Sequence, residues 1–169
     1  MGEEGRSEEL LARGERLLEA GALQEAEAVL REAVAQDPRS ARAHSKLGAA
    51  LAQQGRYEEA LGAFLRAVEL DPCYAPAYTN LGAVYHEQGR LEEALEAYRK
   101  ALELDPEYWV THQNLAALYK RLGDYGAFLR HMKQATRLMA RTQSPEGRAG
   151  CLPVVLLVLL AFLGRRATG

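Results

Sequence analysis

The sequence predicts an all-α protein, a solenoid of four stacked antiparallel helix pairs. Three observations carry that prediction. Residues 55–72 read GRYEEALGAFLRAVELDP and residues 89–106 read GRLEEALEAYRKALELDP, one pattern displaced by 34 residues. Self-similarity at such a period marks an array in which each unit buries its apolar face against the next. Within each unit, apolar residues recur at steps of three and four, the spacing of one helical face. Glycine and proline punctuate the period at equivalent places, where a helix ends at positive φ or meets a residue that its interior rejects.

The elements follow in order. Residues 1–6 are read as a polar N-terminal tail, and the array as 7–142, in units 7–40, 41–74, 75–108 and 109–142. In the first unit Gly21, Leu23, Ala26, Leu30, Ala33 and Asp37-Pro38 fall in register, but Arg13 stands where Leu47, Leu81 and Leu115 stand later. The second unit has Leu47-Gly48 on its first helix and Ala60 on its second. The third is the most regular. Tyr78, Leu81, Gly82 and Tyr85 form one stripe, and Leu91, Ala94, Leu95, Tyr98, Ala101 and Leu102 another, with Gly89 between them and Pro106 at the end. Small residues at Gly48, Gly82, Ala116, Ala60 and Ala94 let helices approach, and Tyr57, Phe64, Tyr85 and Tyr98 fill the space between units. The fourth unit keeps Leu115, Ala116, Tyr119, Gly123, Tyr125, Met132 and Ala135 in register. It departs at Phe128, in the place of Ala60 and Ala94, which is expected to push the last two helices apart.

Composition then changes. Residues 143–150 read as a linker rich in Pro, Gly and Ser. Residues 151–164, CLPVVLLVLLAFLG, have no polar side chain between 152 and 163, and 165–169 form a short basic tail. An apolar run with no polar face is not an ordinary surface helix. It is read as a candidate membrane anchor, although 14 residues of helix span about 21 Å against a hydrocarbon core of about 30 Å. The alternatives are a cap folded over the end of the fourth unit or the groove, and a tail that is poorly ordered or an artefact of the reading frame. The N-terminus lacks the basic-then-apolar pattern of a secretory signal, and two isolated cysteines, Cys73 and Cys151, fit a reducing compartment. The expected location is therefore cytoplasmic, with a C-terminal membrane anchor; the alternative is a soluble cytosolic protein.

The chain shows no catalytic chemistry, so no enzyme and no cofactor are expected. It lacks a Walker-type loop, a GxGxxG turn and an HExxH helix. His44, His86, His112 and His131 have no paired metal-ligand spacing. His44 and His112 take the place of Tyr78, which packing explains. Glu58-Glu59 and Glu92-Glu93 open second helices, where acids suit the helix dipole. A net charge of −2 argues against nucleic acid. The charge is uneven: the first and third units carry −4 each, the second is neutral, and the fourth sets six bases against Asp124, for +5.

The shared glycine, alanine, aromatic and proline places closely resemble the tetratricopeptide repeat family over about four fifths of the chain. That resemblance implies a right-handed superhelix whose first helices line a concave groove, and a partner that is another protein or peptide. Candidate groove residues are Ser45, Lys46, Ala49, Thr79, Asn80, Ala83, His86, Gln113, Asn114, Ala117, Lys120 and Arg121, with Leu11 on the same side of the first unit. One family subtype clamps the C-terminal carboxylate of chaperones with cations. The matching places here hold Ser45, Ala49, Asn80, Val110 and Asn114, and one unit earlier Leu11, Glu15, Lys46, Pro76 and Asn80, so that clamp is not expected. Asn80 and Asn114 occupy equivalent places, as in family members whose asparagine ladder bonds an extended peptide backbone. The rival readings are a structural protein that self-associates through its last helices or tail, and an accessory subunit of a separate enzyme.

Overall fold

The computed structural model describes residues 3–143. These form eight helices with no strand among the described residues: α1 (Glu3–Glu19), α2 (Leu23–Gln36), α3 (Ala41–Gln53), α4 (Tyr57–Leu70), α5 (Ala75–Glu87), α6 (Leu91–Leu104), α7 (Trp109–Leu122) and α8 (Tyr125–Gln143). Helix α1 thus begins inside the segment read as a polar tail. The apolar run 151–164 and its flanks lie outside the described residues.

Local chemistry sets the boundaries. Gly21, Gly55, Gly89 and Gly123, at φ 74°, 76°, 78° and 80°, close the four first helices, and no other described residue has positive φ. A side chain there would clash with the following carbonyl, so glycine makes each reversal cheap. The Asp-Pro pairs close the second helices. Oδ1 of Asp37, Asp71 and Asp105 accepts the N–H two residues on, from Arg39, Cys73 and Glu107, at 3.0, 2.9 and 3.0 Å. This is the local turn that aspartate favours. The fourth unit has no such pair, and α8 is the longest helix.

The four pairs stack in sequence order as a right-handed α-solenoid. The first helices α1, α3, α5 and α7 touch one another in succession, whereas α2, α4, α6 and α8 do not. Closer spacing on one side of the array curves it toward that side, so the first helices form the concave face.

Close approach within each pair depends on one recurring arrangement. A Cβ placed on Gly14 would lie 2.5 Å from Leu30, on Gly48 2.7 Å from Phe64, and on Gly82 2.6 Å from Tyr98. The glycine of the first helix receives the large side chain of the second. Tyr98 and Phe64 are fully buried, so neither ring has room to withdraw. Gly82→Ala is therefore expected to destabilise the protein by about 1–3 kcal/mol through overpacking, despite alanine's better helix propensity. A denaturant titration checks this, and unchanged stability would show that the ring moves freely.

The last pair departs from the expectation for Phe128. Helices α7 and α8 pack as closely as the other pairs. Ala127 takes the buried place and Phe128 is only half-buried. Asp124 Oδ1 accepts the Ala127 N–H at 2.8 Å and fixes this start. Among the described residues no further helix encloses it, so the ring needs no room between helices.

Ion pairs tie the first two units. Glu27 on α2 accepts Gln54 Nε2 at 2.9 Å, Arg56 Nη1 at 2.7 Å and Arg31 Nη2 at 2.8 Å. The Gln54 hydrogen bond, joined by Arg56 and Arg31 against an opposing burial effect, holds its carboxyl at about 2. A carboxyl with a depressed folded pKa stabilises the fold above its unfolded value and loses that contribution as pH falls through the folded value. Stability is thus expected to fall between pH 4.5 and about 2, and Glu27→Gln to flatten that dependence in chemical denaturation. Equal slopes for both proteins would remove Glu27 from the acid response.

Candidate functional site: the concave groove

Two adjoining cavities open along the inner face. One, of about 370 Å³, lies where α1, α3 and α5 meet, with Glu15, Lys46, Ala49, Asn80, Tyr74 and Tyr108 in its wall. The other, of about 230 Å³, is walled by Ala49, Gln53, Tyr57, Asn80, Ala83 and Glu87. Ala49, Gln53 and Asn80 belong to both, so the cavities form one groove with Asn80 on its dividing wall.

The groove forms because small residues repeat on the inner helices. Ala49, Ala83 and Ala117 follow at the 34-residue period; the first two are half-buried and the third exposed. No long side chain at these places fills the channel. Polar groups sit beside them. Asn80 Nδ2 donates to Ser45 Oγ at 3.3 Å, which links α5 to α3. Asn114 is half-buried in the equivalent place on α7 and makes no side-chain hydrogen bond among the described residues.

Two of the expected groove residues are buried. Ser45 and Thr79 are each 1% exposed. They lie at the seam where neighbouring first helices touch, as does buried Leu11 at the same register. Ser45 reaches the wall of the larger cavity, but its hydroxyl already accepts from Asn80. Thr79 Oγ1 lies 2.6 Å from Thr111 Oγ1 and also reaches the Ala75 carbonyl, so it fastens α5 to α7.

The charged candidates divide by partner. Glu15 Oε2 meets Arg42 Nη2 at 2.8 Å, and its Oε1 meets Lys46 Nζ at 3.1 Å. Burial raises the Glu15 carboxyl, but hydrogen bonds and charge from Arg42 and Lys46 outweigh that and hold it below the usual range. Lys46 is thus a paired cation at one end of the groove. Arg121 Nη1 donates to the His86 carbonyl at 2.8 Å and bridges α7 to the last turn of α5. Burial and the nearby Arg121 charge lower the His86 pKa, which favours the neutral ring. Gln113 and Lys120 are exposed on α7, beyond both cavities.

Tyr74 and Tyr108 in the larger cavity were not anticipated. Each occupies the N-cap place before α5 or α7, and burial raises both phenol pKa values. Their 34-residue separation was the available signal.

His44, His112 and His131 are occupied in packing and turns. His44 Nε2 lies 3.2 Å from the Pro38 carbonyl and His112 Nε2 3.0 Å from that of Pro106. A carbonyl only accepts, so His112 Nε2 donates there, and its Nδ1 lies 3.0 Å from His131 Nδ1. Among the described residues no three His, Cys, Asp or Glu side chains gather as a metal site. Also among them, no helix is long and apolar enough to cross a membrane.

Comparison with known proteins agrees with this architecture. Models described as tetratricopeptide repeat match residues 75–108 and 97–127, and one described as TPR repeat matches 14–55 and 50–89. No curated protein matches the chain. Among solved structures, MamA 41-end from Desulfovibrio magneticus RS-1 is similar at 30% identity and TM-score 0.65, over 82% of this chain and 78% of that one. Pseudomonas aeruginosa pilF is similar at 25% identity and TM-score 0.73, over 82% of this chain and 63% of that one. The APC/C hetero-tetramer Cut9–Hcn1 shares the fold, at 22% identity and TM-score 0.77, over 83% of this chain and 27% of that one. Four stacked helix pairs and repeat matches from residue 14 to residue 127 show that this chain belongs to the tetratricopeptide repeat family.

Proposed function

We propose that the protein is a non-enzymatic scaffold that holds an extended segment of a partner protein in the groove of the first helices α1, α3, α5 and α7. The continuous channel around Asn80 is the observation that carries this reading. Alanines leave room for a chain, and amides at Asn80 and Asn114 supply both a donor and an acceptor to a peptide backbone. Backbone bonds from regularly spaced side chains suit an extended ligand and leave sequence preference to the flanking cavities. The tyrosine-walled cavity, with the Lys46–Glu15–Arg42 cluster beside it, accepts a bulky residue with a polar end. The clamp places hold Ser45, Ala49, Asn80, Val110 and Asn114, with no cation among them, so an internal segment fits better than a terminal carboxylate.

The test selects binders from a displayed library of unstructured peptides and measures their affinity by calorimetry. Replacing Asn80 and Asn114 together with alanine is expected to weaken a selected peptide about ten- to thirtyfold, at about 1 kcal/mol per hydrogen bond. Circular dichroism should show an intact array. Unchanged affinity would remove the two asparagines from the site. Amide shifts mapping the peptide to α4 and α6 would sink the groove reading as a whole.

A further inference from the structure

Helix α8 carries two parallel rows that the groove does not use. Tyr125, Leu129, Met132 and Thr136 follow at steps of four, three and four and form one row. The first three are 63%, 64% and 39% exposed. The Thr136 hydroxyl donates to the Met132 carbonyl at 3.0 Å, so its polarity is spent within the helix. Arg130, Lys133 and Arg137 form a second exposed row beside the first. No acidic residue occurs anywhere in α8.

The register explains why the apolar row is bare. One unit earlier the same places are Leu91, Leu95, Tyr98 and Leu102, and α7 covers them with Leu115 and Leu118. No described helix beyond α7 packs on α8. The other end of the array is different, because there Arg13 is exposed where later units carry a buried leucine.

We infer that α8 lies on the surface of an anionic lipid bilayer, with Tyr125, Leu129 and Met132 toward the acyl chains and Arg130, Lys133 and Arg137 among the headgroups. Charge selects this occupant. A helix with one apolar row and a purely basic flank has the pattern of an interfacial helix, whose binding combines apolar burial with attraction to anionic lipid. A second copy seated face to face and antiparallel would set these three cations against their own counterparts, which repel. The sequence beyond α8 agrees with a lipid surface. Residues 152–163 hold no polar side chain, a composition that favours lipid over water. The inference is independent of what occupies the groove.

Flotation of the full chain with vesicles tests it. Wild type is expected to float with phosphatidylcholine vesicles containing about one-third phosphatidylserine, and at least about tenfold less with phosphatidylcholine alone or in high salt. Leu129→Glu with Met132→Glu should cut anionic-vesicle binding more than about tenfold, and Lys133→Gln and Arg137→Gln about fivefold each. Circular dichroism and melting confirm folding, and the Leu129→Gln, Met132→Gln pair replaces the glutamates if these unfold the chain. Binding unchanged by the α8 variants would overturn the inference and leave the apolar run acting alone. Binding indifferent to phosphatidylserine would also overturn it. So would a dimer without lipid that Leu129→Glu dissociates, because the row would then belong to a second copy.

Discussion

Tyr98→Ala is expected to destabilise the protein by about 3–5 kcal/mol, the usual cost of deleting a fully buried aromatic ring. Tyr98 has no exposed surface and packs in the cluster with Ala94, Leu115 and Leu118. Its ring also lies against Gly82, so truncation opens a cavity between the two helices of the third unit and α7. The control is Tyr98→Phe, because Phe64 fills the equivalent place one unit earlier. That change should cost less than about 1 kcal/mol, as a near-isosteric swap does. Thermal melting of the three proteins checks both values, and a Tyr98→Ala loss under about 1 kcal/mol would remove the ring from the core. The location of the damage is a second check. The core falls into two clusters that meet at Tyr85, and a solenoid's stability is a sum over units and their interfaces. Hydrogen exchange should therefore quicken first in α5 to α8, while α2 and α3 keep their protection.

The features that repeat along the chain were the ones legible in sequence. Gly55 and Gly89, one period apart, announced the left-handed residue that ends each first helix, and Asp71-Pro72 with Asp105-Pro106 announced the unit ends. The family resemblance, and not the spacing alone, put Ala49 and Ala83 on the groove side, and both line the smaller cavity. What repetition conceals is how near neighbouring units come. It makes Ser45 and Thr79 equivalent, but their burial depends on the distance between consecutive first helices, which the pattern within one unit does not encode. The fourth unit was misread at Phe128 for a related reason. Among the described helices α8 touches one neighbour where α4 and α6 touch two, so the place that demands alanine earlier makes no such demand there. Tyr74 and Tyr108 precede their helices, outside the periodic apolar stripes, so helical spacing does not point to them.

Arginine at Ala83 is expected to reduce affinity for a groove peptide about a hundredfold, or about 2.8 kcal/mol. Ala83 stands in the wall of the smaller cavity beside Asn80 and Glu87. A guanidinium on a long stem there would fill much of about 230 Å³ and present a charge to the ligand. A ligand must then displace that stem or bind without its central residues, and a steric and desolvation conflict of this kind is how binding sites reject a chain. Glu87 in the same wall gives the cation a partner, so the array should remain folded. Ala49→Arg should act more strongly, because Ala49 borders both cavities. Gly62 on the outer α4 is exposed with open space about it, so Gly62→Arg supplies a matched charge away from the groove and should leave affinity unchanged. Calorimetry with a selected peptide ranks the three. Equal affinities for Ala83→Arg and Gly62→Arg would mean that the inner face holds no ligand. A loss with Ala83→Arg that Asn80→Ala does not share would place the contact in the cavities rather than on the amides.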